Sequence, residues 1–111
     1  MNKQELGKLG EDAAAAYLER QQYRILCRNY RCRAGEIDLI AARDRVLHFV
    51  EVKTRIGSLY GHPAESITEA KRRRMQAAAK TYLSANRWVP GMPKQVQFDA
   101  VEIEITHLEN I

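Results

Sequence analysis

A chain of 111 residues, 45% hydrophobic and 29% charged, has material for one buried core and not for two, so a single domain spanning 1–111 is expected. Eighteen Lys and Arg against 14 Asp and Glu give a net charge of +4, a mild excess that suits a polyanionic partner without demanding one. No apolar leader opens the chain and no run of roughly 18 apolar residues occurs, which argues against a membrane span and for a cytoplasmic protein.

Residues 2–22 read as an opening helix, with Leu6, Leu9, Ala13, Ala16 and Tyr17 as its apolar stripe. At about 100° per residue, Glu11 falls beside Gly7, Ala14 and Leu18, on a small-residue surface suited to lie toward a sheet. Glu5, Lys8, Asp12 and Glu19 share a different, solvated side. Residues 23–30 read as a first strand of ambiguous phase and residues 31–35 as a turn. Arg24, Arg28, Arg31 and Arg33 form a basic patch there. Cys27 and Cys32 lack metal-type spacing, and two buried thiols in a reducing compartment are expected.

The hairpin that follows is the most informative segment. Ile37–Ala42 and Val46–Thr54 are apolar and β-branched, separated by Arg43-Asp44-Arg45. If Asp44 and Arg45 form a two-residue loop, Arg43 faces Val46, Ile40 faces Phe49, Asp38 faces Glu51 and Glu36 faces Lys53. Leu39 then meets Val50, and Ile37 meets Val52, on the opposite face. Alternation places Glu51 and Lys53 on one face, and any even-length loop brings Asp38 to it. Two carboxylates opposed within apolar strands destabilise the pair unless a cation lies between them. These residue types in this pattern suit a hard divalent cation held by oxygen, with a lysine steadying a water or an oxyanion. That is the chemistry of a metal-dependent phosphodiesterase.

Residues 54–66, with Gly57, Gly61 and Pro63, read as a loop beside these groups. A second helix follows, with Thr68 as N-cap and Ser66 with Glu69 as a competing capping box. Its apolar side is Ala70, Met75, Ala78, Tyr82 and Leu83, and it stops before Pro90. Lys71, Arg72, Arg73 and Arg74 crowd its first turns against the helix dipole, which suggests phosphate contact, together with Arg55. Residues 95–105 read as a last strand whose apolar phase switches from Val96 and Phe98 to Val101, Ile103 and Ile105, with a bulge expected near Asp99 and Ala100. His48 is expected to be packed, and Asp99 to organise hydrogen bonds near the carboxylates. His62 is a loop neighbour of Lys53, and Tyr60 and Trp88 are candidates for base stacking. The order helix-strand-strand-strand-helix-strand predicts an α/β domain, a mixed central sheet flanked by helices.

Glu11 on the opening helix, Asp38 on a strand and Glu51-Val52-Lys53 on the next resemble the restriction-endonuclease-like PD-(D/E)XK nuclease superfamily, and within it the archaeal Holliday-junction resolvases. From Gly7-x-x-Gly10-Glu11 to Phe98-Asp99 the chain is similar to the small bacterial YraN family. The segments Gly-Glu-Ile-Asp-Leu-Ile and Phe-Val-Glu-Val-Lys-Thr-Arg carry most of that similarity. The resemblance implies a restriction-endonuclease-like fold and a Mg²⁺- or Mn²⁺-dependent endonuclease acting on DNA, including branched or structured DNA. It further implies that Asp38, Glu51 and the Val52 carbonyl ligate the metal and that Glu11 reaches it directly or through water. Lys53 would orient the attacking water or stabilise the transition state. Ile37 stands where the motif's proline would be. Two readings from other classes stand beside it: a non-catalytic nucleic-acid-binding module, and a partner in a DNA-processing complex. A homodimer is left open.

Overall fold

The computed structural model describes residues 1–57 and 68–111. They form α1 (Lys3–Arg20), β1 (Arg24–Cys32), β2 (Gly35–Arg43), β3 (Val46–Ile56), α2 (Glu69–Asn86) and β4 (Gln95–Ile105). The expected order and the mixed sheet are both present. The strands lie in the order β1-β2-β3-β4, antiparallel except for β4, which runs parallel to β3. Among the described residues no helix is long and apolar enough to cross a membrane.

Both helices are capped by side chains. Asn2 accepts a 2.8 Å hydrogen bond from the Glu5 amide, so α1 begins one residue later than expected. Thr68 accepts one of 3.1 Å from the Lys71 amide, as expected; Ser66 lies outside the described residues. Each helix covers one face of the sheet. Met75, Ala78, Ala79 and Tyr82 of α2 are buried, and the last three join Ile37, Ile40, Leu47 and Phe49 in one core. Ala70 is exposed, and Leu83 packs at the margin. Ala14, Ala15 and Leu18 of α1 pack on Leu39 and Val50 in a second core, with Val52, Val101 and Ile103 at its edge.

The α1 stripe read from the sequence is not the buried one. Leu9 and Tyr17 are 42% and 53% exposed, and Ala13 and Ala16 also face solvent. The buried side is instead Gly10, Ala14, Ala15 and Leu18. The cause is close approach: a Cβ on Gly10 would lie 1.6 Å from the Thr54 hydroxyl oxygen of β3. Around Gly10 only small residues fit beneath a helix held that near the sheet, so Leu9 and Tyr17 turn outward, and a large side chain is buried only further on, at Leu18. Glu11 lies beside this face, half-buried, as its position on the helical wheel indicated.

In the hairpin, Arg43 pairs with Val46, Ile40 with Phe49 and Leu39 with Val50, as expected. Asp44 and Arg45 both adopt left-handed φ, 51° and 66°, the geometry of a two-residue turn whose twist matches its strands. Beyond Leu39 and Val50 the pairing ends, and the expected pairs Asp38–Glu51, Ile37–Val52 and Glu36–Lys53 are not part of it. From there β2 stays with β1, where Ile37 pairs with Tyr30 and Glu36 with Arg31, while β3 stays with β4 as far as Ile56 and Ile105. Ile37 accordingly packs in the α2-side core and Val52 at the edge of the α1-side core, not against each other. Two-residue alternation would put Ile37 with Leu39, so β2 twists at Asp38. Across from it in β1, Asn29 sits at φ 53°, a left-handed conformation that asparagine tolerates.

Other expectations also change. β3 extends past Thr54 to Ile56, and only residues 33–34 separate β1 from β2. No bulge interrupts β4, whose register with β3 is continuous. Its phase switch arises because different parts of the strand serve different cores. Phe98 stacks on Phe49 of the α2-side core, at 5.5 Å between ring centroids, while Val101 and Ile103 fit against the α1-side core. Cys27 and Cys32 are free thiols, half-buried rather than buried, and burial pushes the Cys27 thiol above its ordinary value.

Candidate functional site

The fork where β2 leaves β3 gathers the acidic residues. With the pairing ended at Leu39 and Val50, the next amide of β3 on that side must find another acceptor, because a buried N–H is seldom left unpaired. The Val52 N–H donates to Asp38 Oδ2 at 2.8 Å. One carboxylate oxygen thus replaces a missing ladder bond and fixes Asp38 in the mouth of the fork. Val52, expected to offer its carbonyl, contributes its amide here.

Three hollows meet at Asp38. The first, of about 390 Å³, lies against the first turns of α2 and is lined by Asp38, Glu51, Lys71, Arg74, Arg31 and Glu36 among others. The second, of about 480 Å³, lies against α1 and brings in Glu11, Arg28, Asn29 and Gly7. The third, of about 260 Å³, joins Asp38 and Glu11 to Val52, Lys53 and Thr54. Asp38 is therefore the point shared by a hollow that holds Glu51 and two that hold Glu11, one of them with Lys53, although Asp38 and Glu51 are not ladder partners.

Each carboxylate has a donor of its own. Glu51, only 6% exposed, forms a close ion pair through Oε1 with the Lys71 ammonium. Glu11 Oε1 accepts from the Asn29 side-chain amide at 2.7 Å and lies 3.9 Å from Arg28 Nη2. Arg28 is also paired with Asp12. Burial pushes the Asp38 carboxyl up to about 6; the Val52 amide pulls the other way, and the charges of Glu51 and Glu11 add to the rise. Among the described residues, no group of three or more His, Cys, Asp or Glu side chains converges closely enough to hold a metal ion as it stands.

The basic residues separate. Lys71 and Arg74, one turn apart on α2, both line the Asp38–Glu51 cleft. A Cβ on Gly35 would come within 2.9 Å of the Arg74 carbonyl oxygen, so that glycine lets α2 sit directly over the start of β2. Arg72 borders Glu51 from the β4 side, in a hollow with Phe98 and Asp99. Arg73 is exposed and borders none of these hollows. Arg55 is largely covered and ion-paired with Glu102 of β4 at 3.3 Å. Arg31 is paired with Glu36 at 3.4 Å and edges both larger hollows.

Sequence reasoning missed the internal partners: Lys71 for Glu51, Asn29 for Glu11 and the Val52 amide for Asp38. Only Asn29 left a signal, an asparagine inside a strand pattern, which marks a left-handed kink. His48 is a packed histidine, as expected; its ring meets Tyr23 edge-on at 4.9 Å. Asp99 bonds His48 Nδ1 at 2.6 Å and accepts from the Gln97 side-chain amide at 2.8 Å, so it organises His48 rather than the acidic fork. Trp88 is 81% exposed beside Arg87, after the end of α2. Tyr60 and His62 lie outside the described residues.

Comparison with known proteins gives consistent matches. Residues 10–103 match the family described as "Uncharacterised protein family UPF0102", a span that includes Glu11, Asp38, Glu51, Lys53, Lys71 and Arg74. A UPF0102 protein of Symbiobacterium thermophilum is 50% identical over 99 residues, covering 89% of this chain and 81% of the relative. One of Lachnoclostridium phytofermentans is 48% identical, covering 91% and 84%. One of Geobacter metallireducens is 39% identical over 117 residues, covering 99% and 93%.

Proposed function

We propose that this chain, which belongs to the UPF0102 family, the YraN-like family, is a divalent-metal-dependent endonuclease of the restriction-endonuclease-like PD-(D/E)XK type that hydrolyses DNA phosphodiester bonds. The observation that carries the reading is the position of Asp38. It is fixed by a backbone amide in a fork between strands, flanked by Glu51 and Glu11, with Lys53 on a shared hollow. A fold built only for stability gains nothing by surrounding a desolvated carboxylate with two more.

The donor set fits a hard cation such as Mg²⁺ or Mn²⁺. All the donors are carboxylate oxygens, and a divalent ion would offset both the burial and the neighbouring negative charge that raise Asp38. Asp38 and Glu51 would hold it, with Glu11 joining directly or through water once its bond to Asn29 loosens. Bound there, the ion would polarise a phosphoryl oxygen and lower the pKa of a water. The chain's own groups do the rest. The Lys53 ammonium orients the attacking water or stabilises charge growing on the phosphoryl oxygens. Lys71 and Arg74, with Arg72 and Arg73 on the same helix, hold the flanking phosphates by charge. Steep weakening of DNA binding with rising salt is the expected signature of those contacts.

The test is incubation with junction, flap, single-stranded and duplex DNA in Mg²⁺ or Mn²⁺. Cleavage is expected on at least one substrate and lost in Asp38→Ala and Lys53→Ala, with DNA binding retained. Absence of cleavage on all four, or cleavage unaffected by both substitutions, would overturn the enzyme reading.

A second reading, a non-catalytic nucleic-acid-binding module or a partner in a DNA-processing complex, is favoured by one observation. Glu51 is already neutralised by Lys71. In that case DNA binds equally well with a chelator present, and no substrate is cut.

A further inference from the structure

Lys71 stands out because its position is unfavourable on two counts. It occupies the first turn of α2, where the helix dipole disfavours a cation. It also places a strongly hydrated ammonium against a buried carboxylate, where permanent neutralisation would be better served by the forked donors of an arginine. Its side chain is 30% exposed, so the head group has a path back to water along its flexible stem. Arg74 lines the same cleft one turn on without being the partner of Glu51, which provides an internal control for charge alone.

We propose that the Lys71 ammonium is a placeholder cation. It neutralises Glu51 in the metal-free protein, is displaced when a divalent ion binds, and then turns to a phosphate of the nucleic acid. The inference rests on the metal reading above and adds a consequence to it. Metal frees Lys71 for phosphate, and phosphate draws Lys71 from Glu51, so the two ligands bind with positive coupling and each raises the affinity for the other by the same factor. Lys71 is a positioning residue here: it acts on the ion through Glu51.

Mn²⁺ titration calorimetry without DNA tests this on wild type, Lys71→Met, Lys71→Arg, Arg74→Met and Glu51→Gln. Lys71→Met should bind Mn²⁺ on the order of tenfold more tightly than wild type, and Lys71→Arg, a more permanent partner for Glu51, should bind it less tightly than wild type. Arg74→Met should change affinity by much less, and Glu51→Gln should lose binding. In a Lys53→Ala background, where no strand is cut, a DNA duplex should tighten Mn²⁺ binding, and adding Lys71→Met should remove that gain. If Lys71→Met does not fold, Lys71→Gln takes its place. In wild type, acetylation of Lys71 by acetic anhydride, read by mass spectrometry, should rise several-fold on saturation with Mn²⁺. Equal affinities in wild type and Lys71→Met, equal gains in Lys71→Met and Arg74→Met, or unchanged acetylation would overturn the placeholder role and leave the metal site standing. Absence of Mn²⁺ binding in wild type and Lys71→Met alike would overturn the metal reading, and this inference with it.

Discussion

The two ends of β2 obey different physics. From Leu39 to Arg43 it zips against β3 in unbroken register, and Leu39, Ile40, Ala41, Leu47, Phe49 and Val50 are all fully buried. From Gly35 to Asp38 it follows β1 away from β3, and the gap is occupied by Asp38, bonded to the Val52 amide, beside Glu51. The closed end gains stability by excluding water from apolar side chains. The open end gives up ladder bonds and desolvates acids. Within one strand, then, stability and candidate chemistry are divided, and the division falls at Asp38.

Substitutions at the closed end should have the largest effect on stability. Phe49→Ala removes a fully buried ring from the α2-side core and should cost about 3–5 kcal/mol in urea denaturation. Outside that end, where α1 docks on β3, Gly10→Ala drives a methyl into Thr54 and should cost about 1–3 kcal/mol by the same measurement.

The open end should respond with the opposite sign. The Asp38 carboxyl is raised from an ordinary value near 4 to about 6, so between those values the folded state binds more protons than the unfolded chain. Stability contributed at this position therefore falls as pH rises through that window and stays lower above it. With a chelator present, Asp38→Asn should melt at a higher temperature than wild type above pH 6, and the gap should close near pH 4 or below. A difference that grows toward low pH would contradict the assignment. The smallest effect is expected at Gly7, where a Cβ would meet nothing within 4 Å. Gly7→Ala should stabilise folding by about 0.5–1 kcal/mol through helix propensity alone. It would also mark the α1-side hollow as open space rather than packing.

The same division explains what could be read in the sequence. The hairpin register was legible because apolar alternation on both strands leaves one solution, even with Asp44 and Arg45 in place of the usual turn residues. The acidic cluster was legible by chemical type. The expected pairing of Asp38 with Glu51 does not form, because alternation assumes a ladder that continues, and this one ends at Leu39. The buried side of α1 was misjudged for a related reason: residue size suggested Leu9 and Tyr17, but close contact with Thr54 selects Gly10 and Ala14. Lys71 was legible as part of a basic run in the first turns of a helix and not as the partner of Glu51. That contact depends on α2 settling over Gly35, which no local pattern encodes.

Thermal unfolding with added Mn²⁺ tests most directly whether the fork is a cation site. Wild type should melt at progressively higher temperature as Mn²⁺ is titrated at neutral pH, as expected for an ion bound only by the folded state, and Asp38→Asn should barely respond. Parallel, featureless titrations of the two proteins would mean that the acids at the open end of β2 hold no metal.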